Sequence, residues 1–278
     1  MKPASHTHSQ ITRRLLVLTA VALFTARAAT AQHSSVAEHT VASRLLQRDR
    51  RIWVYTPANY PSVCTPDCDF LLAFDGADYQ RDIPLPAMLD SLIAAKKVRP
   101  TVAVLVDNGE SAARLSDLAN RKQFVSFVGD ELVPWTRQHF KVSHDPHRAI
   151  ITGSSAGGLA ALYIALERSE VFGNVLSQSA ALWRGPEASN AAPYEWLTKQ
   201  YAAAPRKDVR IFLDVGALET RGALGGAAPS ILDANRRLRD VLVAKGYHAE
   251  FTEVPGGQHS PESWRLRLPI GLVALQAP

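Results

Sequence analysis

Sulfur is scarce in this chain of 278 residues, which has two cysteines and two methionines. Cys64 and Cys68 leave room for a single cross-link, in a proline-containing loop. A bond there would stiffen the loop more than it would stabilise the fold, because the gain from closing a loop grows with its length. A metal site built on the two thiols would need further ligands close by, and the neighbouring sequence offers none. Charge imbalance is also scarce. The formal net charge is +5, but Lys2, Arg13, Arg14 and Arg27 lie in the first 31 residues, where there is no acid, leaving 27 basic residues against 26 acidic ones. No basic run remains that would hold a nucleic-acid backbone, so no nucleic acid is expected as a partner. The apolar stretch from Leu15 to Ala26 is too short to span a bilayer comfortably, so stable membrane insertion is not expected either.

The first 31 residues read instead as a removable leader. A polar segment ends in Arg13-Arg14, the apolar stretch follows, and Ala29-Thr30-Ala31 has the small-residue pattern of a cleavage site. Thr12-Arg13-Arg14-Leu15-Leu16 is similar to a twin-arginine signal, although adjacent arginines also occur in ordinary secretory leaders. Export to the periplasm or the medium follows by either route, and two nearby cysteines suit an oxidising destination.

Residues 32–278 then alternate strand-like and helix-like text. Gln32 to Thr40 is polar and expected to be mobile. Arg51 to Tyr55 alternates polar and apolar residues before Thr56-Pro57, which predicts a half-buried strand near a sheet edge. Thr101–Val106 is an uninterrupted apolar run of the kind expected in the middle of a parallel sheet, and Asp69–Phe74, Val175–Ser177 and Ile211–Val215 predict further strands. Ala249 to Val254 is the last strand. Helices are predicted over Pro86–Ala95, Phe124–His139, the segment ending at Glu167, Ile231–Lys245, and from Ser260 onward, where Ser260-Pro261-Glu262 supplies an N-cap, a proline at the first turn and an early acid. Residues Gly185 to Lys207 read as a loop or a small helical cover. With no repeat and no linker, the pattern predicts one α/β domain with a doubly wound, mostly parallel sheet and helices on both faces.

The chemistry centres on Gly153-Ser154-Ser155-Ala156-Gly157, which matches G-x-S-x-G between the apolar Ala149-Ile150-Ile151 and a run of helix formers. In that setting the motif turns sharply from strand to helix and presents the middle serine. A small-residue turn in which Ser155 has no task is the plainer alternative. Serine needs a base oriented by a third group. His259 lies in the last loop that follows a strand. Glu219, three residues beyond Gly216, is the preferred acid, with Asp214 inside the preceding strand as the alternative. Backbone N–H groups at Ala156 and in the Gly76-Ala77 turn are candidates for an oxyanion hole, against a plain turn at the latter. Arg114 and Arg184 could bind an anionic substrate or simply be solvated. This chemistry requires no metal and no cofactor.

From Val102 to Trp183 the chain resembles the enterochelin (enterobactin) esterases, members of the α/β-hydrolase superfamily. The shared text is the strand ending at Asp107, Arg-x-x-acid-Leu at Arg114 to Leu118, Asp130 to Trp135, the Gly153 to Gly158 elbow, and Phe172 to Gln178-Ser179. Asp75-Gly76, Val215 to Glu219 and Gly256 to His259 with Trp264-Arg265 extend the resemblance. It implies that Ser155 is the nucleophile, His259 the base, Glu219 the acid and Trp183 part of the substrate surface. The implied partner is a small-molecule ester, with a ferric siderophore the leading candidate and any iron part of the substrate. Asp117 stands where the siderophore enzymes usually have Glu, and Ala180 to Trp183 replaces a more aromatic, Gly-containing passage. Feruloyl and acetyl-xylan esterases share the wider group, so a carbohydrate acyl esterase is the alternative, and a ligand-binding protein without turnover is a second.

Overall fold

The computed structural model describes residues 1, 32–109, 111–186 and 189–276. The expected leader, residues 1–31, lies outside the described residues apart from Met1. Eight strands form one sheet in the order β1-β2-β4-β3-β5-β6-β7-β8. They are β1 (Ser35–Val41), β2 (Arg50–Thr56), β3 (Asp69–Phe74), β4 (Thr101–Val106), β5 (Ala149–Ser154), β6 (Asn174–Gln178), β7 (Arg210–Gly216) and β8 (His248–Val254). Every neighbouring pair from β4 across to β8 is parallel, whereas β2 runs antiparallel to both β1 and β4. The order reverses between β3 and β5, so a crevice opens there at the carboxyl ends of the strands.

Side-chain alternation along the strands supplies two buried layers. Phe70, Leu72 and Phe74 of β3 join the layer under α6 (Ala156–Glu167). Leu71 and Ala73 of the same strand join Leu85 and Leu89 of α2 (Leu85–Ala94) and Leu268 and Leu272 of the carboxyl-terminal helix (Pro261–Gln276). A strand buried on both faces has no polar alternation to display, which is why these segments read as unbroken apolar runs. The α/β reading, with helices on both faces, therefore holds. The other helices are α1 (Asp78–Arg81), α3 (Ser111–Leu118), α4 (Lys122–Ser126), α5 (Val133–His139), α7 (Trp196–Ala203), α8 (Ile231–Ala244) and, closing the chain, α9 (the Pro261–Gln276 helix).

Several expectations change. Residues expected to be mobile form β1, paired with β2 in register from Ser35 opposite Thr56 to Val41 opposite Arg50. Its side chains are mostly exposed, so it is held by its backbone ladder and has no apolar face for a sequence pattern to reveal. β2 is consequently one strand in from the edge. The helix expected from Phe124 starts at Lys122 and passes through a π-helical stretch, Phe127–Leu132, before α5. Pro134 near the start of α5 has no N–H to donate, a common reason for the ladder to change its spacing. Cys64 and Cys68 are joined in a disulfide, with Cα atoms 4.4 Å apart. No helix among the described residues is long and apolar enough to cross a membrane.

An ion pair anchors the sheet to the segment above it. Arg50, at the start of β2, meets Asp117 of α3 at 2.7 Å, with side-chain exposures of 6% and 2%. Arg48 reaches the other oxygen of Asp117 at 2.6 Å. Removing one partner of a buried pair leaves the other charge without compensation, at a cost of about 3–5 kcal/mol. Asp117→Ala should therefore lower the free energy of urea unfolding by at least about 3 kcal/mol. An unchanged midpoint and slope would show that water compensates Arg50 instead.

Candidate active site

Ser155 sits between β5 and α6 with φ 57° and ψ −117°, a conformation strained for any residue with a Cβ. The surrounding chain holds it there. Its N–H donates to the Gln178 carbonyl at 2.9 Å, and its own carbonyl accepts from the Ala181 N–H at 2.9 Å. The close turn explains the glycines around it. A Cβ at Gly153 would come within 2.5 Å of the Gly157 backbone, and one at Gly158 within 2.8 Å of the Ser177 hydroxyl.

The parallel order β5-β6-β7-β8 brings the ends of β7 and β8 to the same rim. His259 Nε2 lies 3.0 Å from Ser155 Oγ, and His259 Nδ1 lies 2.6 Å from Glu219 Oε2. The loops carrying the two residues are tied together, with Leu218 N–H donating to the Gly257 carbonyl at 3.1 Å. They approach so closely that a Cβ on Gly216 would stand 2.3 Å from the Gly257 oxygen. The second Glu219 oxygen accepts from Ser179 Oγ at 2.6 Å and from Gly216 N–H at 2.8 Å. Burial pushes the Glu219 pKa up, but the hydrogen bonds from His259 and Ser179, the charge of His259 and the Gly216 N–H outweigh it and hold the carboxyl below its ordinary range. The acid is thus kept ionised beside an imidazole that can take a proton from Ser155.

The alternative acid, Asp214, is directed elsewhere. It lies 3.0 Å from Arg267 of α9 and accepts from Gln178 at 3.0 Å. Burial raises its pKa to about 6, against the opposing pull of Arg267 and Gln178. Ser179 is the residue that the sequence reading quoted without giving it a task. Besides donating to Glu219, its hydroxyl accepts from Trp264 Nε1 at 3.0 Å and from Arg267 Nη2 at 3.3 Å. Trp264 also sets its ring edge-on to His259, with centroids 5.0 Å apart. A small polar residue directly after the strand between those of the serine and the acid is the signal that could have found Ser179.

One oxyanion candidate is corrected. The Gly76 N–H donates to the Val106 carbonyl at 2.8 Å and is already satisfied. Glycine is needed there for packing, since a Cβ would meet the Leu105 carbonyl carbon at 2.8 Å. Ala77 N–H and Ala156 N–H have no acceptor among the described residues, and the turn before Ala77 abuts the elbow, with Asp75 Oδ2 3.3 Å from where a Cβ on Gly157 would stand. Arg114 grips both oxygens of Asp75 through Nε and Nη2 at 2.7 Å each. The Arg-x-x-acid-Leu passage is thereby accounted for: Arg114 holds the turn after β3, Asp117 holds β2, and Leu118 is buried in the core. Trp183 is nearly buried and carries the Arg184 guanidinium 4.7 Å above its ring. Among the described residues no cluster of His, Cys, Asp or Glu is arranged to hold a metal ion.

Residues 43–275 match the family described as "Putative esterase". The chain belongs to this esterase family. The Iron(III) enterobactin esterase of Dickeya dadantii is 32% identical over 243 residues, covering 80% of this chain and 51% of that protein. The enterobactin esterase of Shigella flexneri, solved in the presence of enterobactin, superposes with a TM-score of 0.74 at 28% identity, over 87% of this chain and 59% of that one. A ferulic acid esterase at 18% identity shares the fold, with a TM-score of 0.72 over 88% of this chain and 98% of that one. The chain spans about half the length of the curated relatives it matches.

The depressed Glu219 pKa has a stability consequence with a definite sign. A carboxyl whose folded pKa lies below its ordinary value, here 4.5, stabilises the fold above that value and loses the contribution as pH falls through the folded pKa. The difference in unfolding free energy between wild type and Glu219→Gln should therefore narrow as pH is lowered from about 7 to about 3. Denaturant titrations at each pH measure it, and carrying Asp214→Asn in both proteins removes the titration of Asp214, whose pKa the charge of Glu219 helps to raise. A gap that widens toward low pH would reverse the assignment.

Proposed function

We propose that this chain is an exported serine esterase in which Ser155 attacks an ester carbonyl. His259 takes the serine proton and then passes it to the leaving alcohol, and in the second half-reaction it activates water against the acyl-enzyme. Glu219 orients the imidazole and stabilises its charged form. The N–H groups of Ala156 and Ala77 receive the negative oxygen of the tetrahedral intermediate. The observation that carries this reading is the unbroken line Ser155–His259–Glu219 at 3.0 and 2.6 Å. A strained serine conformation at the start of a helix supports it.

The favoured substrate is a siderophore of the enterochelin type, a trilactone whose ring opening weakens its hold on iron. Relatives named as enterobactin esterases, at about 30% identity, support this choice. A carbohydrate acyl ester is the second reading. Its support is the shared fold with a ferulic acid esterase that this chain matches along nearly the whole of that protein. The leader-like residues 1–31 and the Cys64–Cys68 bond support export to an oxidising compartment, with residues 32–278 as the mature domain.

Product analysis on ferric and iron-free trilactone catecholates, beside feruloylated and acetylated oligosaccharides, separates the substrate readings. Ser155→Ala and His259→Ala should each lower kcat/KM by at least about 10³-fold on the true substrate. A serine-directed phosphonate should label wild type once and the Ser155→Ala protein not at all. Full-rate turnover by the variant would overturn the mechanism, and absence of labelling would favour a binding protein on the same fold.

A further inference from the structure

Three arginines are buried among the described residues: Arg50 at 5%, Arg184 at 8% and Arg267 at 5% exposure. Two of them are matched by a carboxylate. Arg50 meets Asp117 at 2.7 Å, and Arg267 meets Asp214 at 3.0 Å. Arg184 is not matched, for among the described residues its polar partner is the neutral Asn190 side chain, whose Oδ1 accepts from Nη1 at 2.7 Å. A guanidinium withdrawn from water without a counter-charge is costly to keep, and the cost falls when an anion arrives.

The place of this cation is as informative as its lack of a carboxylate among the described residues. Ala181 N–H donates to the Ser155 carbonyl, and Arg184 N–H donates to the Ala181 carbonyl at 3.2 Å, so Arg184 stands one turn from the elbow. Its planar group is fixed on both sides, by the Trp183 ring at 4.7 Å and by Asn190. The positive charge of Arg114, on α3 and bonded to Asp75 of the turn after β3, acts on it. Asp75 occupies two nitrogens of Arg114 and is not shared with Arg184. Arg114 is thus neutralised by Asp75, with the charge of Asp78 also acting on it, whereas no carboxylate among the described residues meets Arg184.

We propose that Arg184, held by Asn190 and Trp183, is an anion subsite that selects esters bearing a negatively charged group on the acyl side of the scissile bond. A planar, pre-oriented fork suits a carboxylate, or a catecholate with its paired oxygens, better than a neutral sugar hydroxyl. The inference rests on the serine esterase reading and names the substrate class for that same site.

The test compares the 4-nitrophenyl monoesters of succinate, glutarate and adipate, which carry a terminal carboxylate at increasing reach, with neutral 4-nitrophenyl butyrate. Wild type should prefer at least one of the anionic esters in kcat/KM. Asn190→Asp supplies a counter-charge in place and is nearly isosteric, and it should lower the anionic-to-neutral ratio about tenfold or more, as a displaced charge-assisted contact does. Arg184→Met should do the same, with Arg184→Lys between the two. No preference in wild type for any monoester, or a ratio within twofold of wild type in both Asn190→Asp and Arg184→Met, would overturn the proposal. Calorimetry of the glutarate monoester on the Ser155→Ala protein decides the matter without turnover. Binding that Asn190→Asp weakens about tenfold supports the subsite even if the esterase reading fails, and equal binding by the two proteins overturns the subsite even if that reading stands.

Discussion

The 2.6 Å hydrogen bond between Glu219 and His259 is the contact on which the rest of the rim depends. It joins two loops that belong to different strands, and each loop is short because a parallel sheet delivers both strand ends to one side. The glutamate can be buried and still ionised because two further donors, Ser179 and the Gly216 N–H, face it beside His259. Ser179 is central among these, since its single hydroxyl gives its proton to Glu219 and receives from Trp264 and Arg267. Trp264 in turn sets its ring against the imidazole. Glu219, His259 and the first two turns of α9 therefore form one connected polar unit, a network in which each member fixes the orientation of the next.

A second constraint operates on the other side of the elbow, where the sheet order reverses between β3 and β5. The turn after β3 carries Ala77, and α3 keeps it in position. That helix works as a bolt, with Arg114 gripping Asp75 at the crevice while Asp117 reaches back to Arg48 and Arg50. Three residues of separation put the two side chains near one another on the helix surface, yet each engages a different part of the sheet. Rigidity at the carboxyl rim thus comes from ion pairs between elements distant in sequence, while the strands beneath are held by apolar burial.

Much of this was legible in the residues. Apolar runs announced β3 and β4 because burial on two faces removes alternation. The glycines of the elbow announced the turn because no Cβ fits at Gly153. The order of Ser155, Glu219 and His259 was legible because each follows a strand in a parallel sheet. What could not be read was anything decided by backbone pairing or by long-range choice of partner. β1 has no apolar face, and the Gly76 N–H looked available until the fold brought the Val106 carbonyl to it. Asp214 and Glu219 are both acids near the end of one strand. Only the direction of their side chains separates them, one toward Arg267 and the other toward His259.

The placement of β1 carries a consequence for how the molecule behaves in concentrated solution. Among the described residues it is the end strand and leaves one row of its backbone donors and acceptors without a neighbouring strand, the feature by which sheets recruit foreign strands. Its outward text is unsuited to that use. Ser35, Glu38, His39 and Thr40 break up any apolar stripe, and Glu38 accepts from the Trp53 indole of the neighbouring strand at 3.1 Å. The hydroxyls of Ser35 and Thr56 are in hydrogen-bonding contact with each other at 2.9 Å and join the two strands at their far end. The polarity that hid this strand from a pattern search is the same polarity that discourages edge-to-edge aggregation.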